Sequence, residues 1–143
     1  MDNLVLREPF SDLAQARTRL TLSYLFGVPM TLGDEIADLD AARVEMLRKV
    51  LPTFNVRPVS VGRRVPGKVF RTRVDVVRQE GEWSLHAFTN FETNRTLQAT
   101  FGCPKGIVTD FWGNCPCARA DGRMTISVPP GDSVLLKVVT KQD

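Results

Sequence analysis

The sequence predicts a mainly β chain, an antiparallel β-sandwich preceded by two helices and a short strand. The first observation is a change of hydrophobic period: helical spacing over the first 52 residues, then period two from Lys68 onward. The second is a set of six short strand patterns spaced near ten residues, separated by turn-forming residues, as an antiparallel sandwich requires. The third is size. At 143 residues and 43% hydrophobic content, the chain is long enough to bury one core without staples.

Ser11-Asp12 offers an N-cap for the first helix, and Leu13, Ala16, Leu20 and Tyr24 recur at helical spacing behind it. Gly27 and Pro29 stop that helix. A short apolar stretch, Val28 to Leu32, follows as a strand and ends in Gly33-Asp34. A second helix starts near Asp40, with Val44, Leu47, Val50 and Leu51 on one face, and Pro52 closes it. Residues 53–67, rich in Pro, Gly and Arg, read as a linker or edge strand carrying Val56, Val59, Val61 and Val65.

The β half, residues 68–143, opens with "KVFRTRVDVV", where Phe70, Thr72, Val74 and Val76 alternate with charged residues. "EWSLHAFTN" puts Trp83, Leu85 and Ala87 on one side and His86 and Phe88 on the other. "RTLQATF", "GIVTDFW", "RMTISV" and "DSVLLKVV" complete the set. Turns fall at Gln79-Glu80-Gly81, Asn94, Asp121-Gly122 and Pro129-Pro130-Gly131-Asp132.

Composition excludes several classes. The net charge is +3, and the tightest basic group, Arg63-Arg64, runs into Val-Pro-Gly, so no concentrated basic face for nucleic acid is present. No apolar run approaches the roughly 18 residues that span a bilayer. The N-terminus lacks the basic start and apolar stretch of a signal peptide. The chain is expected to be soluble, with no targeting segment and no compartment written on it.

The order of these motifs resembles the α-galactosidase (melibiase) group of glycoside hydrolases. "ARTRLTLSYLFGVPMTLGDEIADLDAARVEMLRKVLP", residues 16–52, is similar to the end of that group's (β/α)8 barrel, with the last barrel strand at Gly27 to Asp34. "GEWSLHAFTNFET", "VTDFWG" and "VPPGDSVLLKV" are similar to its C-terminal β-sandwich domain. A complete barrel needs eight strands and usually 200 or more residues. The resemblance supplies one strand and about two helices, and it places both catalytic aspartates on earlier strands. It therefore implies a non-catalytic C-terminal region of a larger enzyme, with no catalytic residue here, no cofactor, and a catalytic barrel as partner in cis or in trans. A carbohydrate is a further partner on this reading. So is a second copy, held through the apolar helical face of Leu20, Leu22, Leu25, Phe26, Val44, Leu47 and Leu51 once no barrel covers it.

Two residues are candidates for substrate binding. Asp34 falls at the C-terminal end of the short strand, the face where barrel enzymes place their chemistry; the competing reading is a cap for the next helix, with Glu35 nearby. Trp112 ends a strand pattern and could stack on a sugar, against the competing reading of core or interdomain packing. The other aromatics, Trp83, Phe88, Phe91, Phe101 and Phe111, are expected mostly in the core. His86, the only histidine, has no nucleophile or orienting acid near it in sequence and reads as a sheet histidine. Cys103, Cys115 and Cys117 have neither the count nor the spacing of a zinc knuckle, so no metal is expected and the last two read as loop cysteines.

Overall fold

Asp12 opens the first helix through a capping box: its carboxylate accepts from the Gln15 N–H at 2.8 Å, while the Gln15 side chain accepts from the Asp12 N–H. Helix α1 runs Leu13–Phe26 and ends at Gly27, whose φ of 60° is the left-handed conformation that terminates helices. Asp40 caps α2, Ala41–Val50, by accepting from the Arg43 N–H. The computed structural model describes residues 3–27, 29–53, 57–78, 81–103, 106–115, 117–120 and 122–139. None of its helices, among these residues, is long and apolar enough to cross a membrane.

All six predicted strands are present, together with the edge strand. They are β1 (Ser60–Val61), β2 (Phe70–Arg78), β3 (Gly81–Thr89), β4 (Leu97–Gly102), β5 (Ile107–Asp110), β7 (Arg123–Val128) and β8 (Ser133–Val139). The sequence missed β6, Cys117–Ala120, whose Cys-Ala-Arg-Ala composition carries little strand propensity; pairing with β7 alone sustains it. Five strands in the order β1-β2-β3-β8-β5 form one sheet and β4-β7-β6 the other, every pair antiparallel. Val56, the Gln79-Glu80 turn and Asp121 lie outside the described residues.

The five-stranded sheet is the middle of three layers. Leu85 and Ala87 of β3, Val74 of β2 and Leu135 of β8 turn one way, onto Leu20, Leu25, Leu47 and Val50 of the helices. Phe88, Val134 and Leu136 turn the other way, onto Phe101, Ile126 and Val128 of the three-stranded sheet. Every residue from Ser84 to Asn90 is consequently buried, although the sequence there alternates as if one face were wet. At roughly 1.5–3 kcal/mol per fully buried aliphatic side chain, both layers are substantial.

This corrects the expectation of self-association through the helices. Leu20, Leu25 and Leu47 are buried against the chain's own sheet, Leu22 and Val44 are partly covered, and only Phe26 and Leu51 of that face are exposed. Polar ties fix the same packing. Arg17 pairs with Asp132 at 2.6 Å, and Thr18, Ser133 and Thr89 form a hydroxyl chain with links of 3.0 and 2.8 Å from α1 through β8 to β3.

The short strand predicted over Gly27–Asp34 is reduced to one parallel bridge, Leu32 to Leu4, with Val28 outside the described residues. Leu4 donates to the Thr31 carbonyl at 2.7 Å and accepts from the Gly33 N–H at 2.8 Å. Because α1 lies between the two bridged segments, this is a β-α-β crossover, followed by α2. Buried Arg43 locks the unit together, donating to the Leu6 carbonyl at 2.6 Å and the Ser11 carbonyl at 2.7 Å, and pairing with Glu8 and Asp40.

Candidate functional site

Asp110 organises the stretch that follows β5. Its carboxylate accepts from the N–H groups of Trp112 at 3.1 Å, Gly113 at 3.0 Å and Cys115 at 2.6 Å. This side-chain-to-backbone turn bends the chain off the sheet, so the strand stops at Asp110 and does not reach Trp112 as the sequence suggested. Gly113 takes a φ of 73°, which suits the turn.

The bend swings Trp112 toward the helices. Its indole Nε1 donates to Thr21 Oγ1 at 2.8 Å, and its ring meets Phe111 edge to face at 4.9 Å. Trp112 also lines a cleft of about 240 Å³ between α1 and α2 whose other walls include Leu13, Ala42 and Met46, with Arg17, Glu45 and Lys49 at the rim. Two of those charges are already engaged: Arg17 by Asp132, and Lys49 by the Phe111 carbonyl at 3.3 Å. Packing between helices and sandwich thus accounts for most of the indole, and the half-exposed remainder faces this small cleft.

Asp34 sits elsewhere. Buried beside the Leu4–Leu32 bridge, it accepts from the Leu6 N–H at 2.6 Å and lies 3.6 Å from the Arg7 guanidinium. Capping of the next helix falls to Asp40, so the sequence misassigned that role. Asp34 holds the N-terminal segment onto the crossover, while Trp112 packs on Thr21 and Phe111. Asp34 Oδ1 makes no hydrogen bond among the described residues.

His86 is buried on the inter-sheet face, with Nε2 2.9 Å from Ser84 Oγ and its ring stacked 5.7 Å from Phe101. Burial, and then the neighbouring Arg73 charge, lower its pKa to about 4, with Asp75 opposing. It is a neutral imidazole at pH 7, and the hydroxyl it meets, Ser84 Oγ, is itself buried. Phe88 and Phe101 are buried, while Phe91 is exposed beneath Arg64. The three cysteines form no disulfide; burial and then Cys115 push the Cys117 thiol up to about 11, the opposite of a reactive thiolate. Among the described residues no three His, Cys, Asp or Glu side chains are placed to hold a metal ion.

No protein-family model matches the sequence, and no curated protein matches it. The fold is similar to part of alpha-galactosidase I from Mortierella vinacea, with a TM-score of 0.70 at 14% identity over 98% of this chain and 39% of that one. It is also similar to a GH27 β-L-arabinopyranosidase from Geobacillus stearothermophilus, with a TM-score of 0.67 at 20% identity over 95% of this chain and 32% of that one. An Anoxybacillus alpha-amylase gives a TM-score of 0.54 at 15% identity, over 90% of this chain and 33% of that one. At these identities the likeness is one of fold. The chain spans well under half the length of each enzyme.

Proposed function

We propose that this chain serves as the non-catalytic C-terminal region of an α-galactosidase-like glycoside hydrolase, a sandwich that caps a catalytic barrel. One observation carries the reading: a β-α-β-α unit, the repeating element of a (β/α)8 barrel, is cemented through a buried core and polar ties to one face of an antiparallel sandwich. On this reading residues 1–52 are the barrel-derived segment, 53–67 the linker or edge strand, and 68–143 the sandwich domain. Leu32 has a strand partner on one side only among the described residues, and further barrel strands would add at its other edge. Asp34 then lies at the rim of the barrel's chemical face as a residue that positions the loop beneath the substrate.

The test is turnover. A retaining glycosidase needs two carboxylates about 5 Å apart across the scissile bond, and on this reading both belong to barrel strands that this chain does not supply. The purified chain should leave nitrophenyl α-galactoside and β-arabinopyranoside intact. Sustained hydrolysis of either would overturn the reading. If the barrel is a separate polypeptide, affinity capture with this chain should recover a protein of barrel size.

The Trp112 cleft supports a second reading, a carbohydrate-binding module. Galactose titrated against tryptophan fluorescence decides between them: a capping domain gives no saturable change, a sugar site does, and Trp112→Phe abolishes it.

A further inference from the structure

The mouth between the two sheets, on the opposite face of the five-stranded sheet from the helices, holds a cleft of about 200 Å³. Strand β2 delivers Arg71 and Arg73 to it at alternate positions, opposite Phe88 and His86 of β3. Strand β4 supplies Phe101 and Gly102, and a Cβ on that glycine would meet nothing within 4 Å, so the wall there is bare.

The two arginines are held differently. Arg73 is clamped by Asp75 through two bonds of 2.7 and 3.0 Å. Arg71 has no carboxylate partner among the described residues. Its guanidinium lies 5.7 Å from the Phe88 ring centroid, and Nη2 donates to the Thr100 carbonyl at 2.9 Å, which ties β2 to β4 across the mouth. A guanidinium offers five N–H donors, and Thr100 takes one of them. With His86 neutral, the arginine and aspartate side chains gathered here sum to one positive charge, on a planar fork fixed against an aromatic ring.

We propose that this cleft binds a carboxylate. The planar guanidinium fork matches a carboxylate in bidentate geometry. Arg71 supplies that fork and the net charge, while Asp75 holds Arg73 two positions along the same face of β2. The volume is below that of drug-sized pockets and suits a monosaccharide or smaller acid. The carboxylate can belong to an acidic sugar or to a free organic acid; the chemistry recognised is the same. The proposal is independent of the capping role, because it uses the other face of the sheet.

His86 reports on the cleft without assignment, since it is the only histidine in the chain. The full chain is titrated at pH 7 with D-galacturonate, acetate, D-galactose and inorganic phosphate while the imidazole proton resonances are followed. Galacturonate should produce a saturable shift and galactose none. Saturation by acetate at equal or lower concentration identifies the source as a free acid and still supports the site; galacturonate binding at least tenfold tighter than acetate identifies an acidic sugar. Arg71→Gln should weaken binding at least tenfold, and Arg71→Lys, which keeps the charge and loses the fork, by less. Arg71 is exposed, so both variants should keep the wild-type melting transition. No shift with either carboxylate, tighter binding of phosphate, an equal response to galactose, or unchanged binding in Arg71→Gln would each overturn the proposal.

Discussion

Lowering the pH from 7 to 4.5 should cost the fold about 2 kcal/mol through His86 alone. The imidazole is held at about 4 because it is buried between Ser84 and Phe101, with Arg73 opposite it; Asp75 only partly compensates. In the unfolded chain it titrates at its ordinary value near 6.5. Between those values the unfolded chain binds a proton that the folded chain refuses. The stabilisation is therefore present above pH 6.5 and lost as pH falls toward 4. At about 1.4 kcal/mol per pKa unit the full gap is worth about 3 kcal/mol, of which about 2 is gone by pH 4.5. Urea unfolding at both pH values, in the wild type and in His86→Gln, isolates this contribution because the carboxylates are common to both proteins. Glutamine can still bond to Ser84 Oγ, so the variant should fold. Equal pH sensitivity in the two proteins, or an imidazole resonance titrating near 6.5 in the folded chain, would refute the argument.

Arg43→Ala should destabilise by about 3 kcal/mol in urea titrations, because the carbonyls of Leu6 and Ser11 each lose a charge-assisted donor; a loss below 1 kcal/mol would show the crossover is held otherwise. Asn90→Ala should cost about 2–3 kcal/mol, since this fully buried amide donates to the carbonyls of Arg95 and Val128 and accepts from the Glu92 N–H. Trp112→Phe should cost about 1–2 kcal/mol by removing the indole donor from buried Thr21. Asp40 has its carboxylate held below its ordinary value by the Arg43 N–H and side chain, so its contribution exists above that ordinary value and fades as pH falls through the folded one. Asp40→Asn should flatten the acid limb of the stability profile, and an unaltered limb would count against the cap.

Much of the architecture is legible in the residues. The cap at Asp12, the start of the second helix near Asp40 and the six alternating strands depend on neighbours in sequence, so local pattern suffices to find them. What escapes is whatever depends on a distant partner. Strand β6 has weak intrinsic preference and exists because β7 offers an edge. Arg43 falls on a helical face that pattern reading reserves for apolar residues, yet it is buried because carbonyls 32 and 37 positions away receive its donors. Asp110 carries the turn that directs Trp112, and it passed in sequence as one polar position in a strand.

The sequence by itself determined the succession of helices and antiparallel strands. That succession follows from periodicity, capping and side-chain chemistry, which operate within a few residues. Only the tertiary structure decided that the helices cover one face of the five-stranded sheet, that His86 is buried and neutral between two sheets, and that Arg71 meets Thr100 across their mouth. Burial, desolvation and charge pairing are properties of groups brought together across many residues, and they come into being only when the layers close.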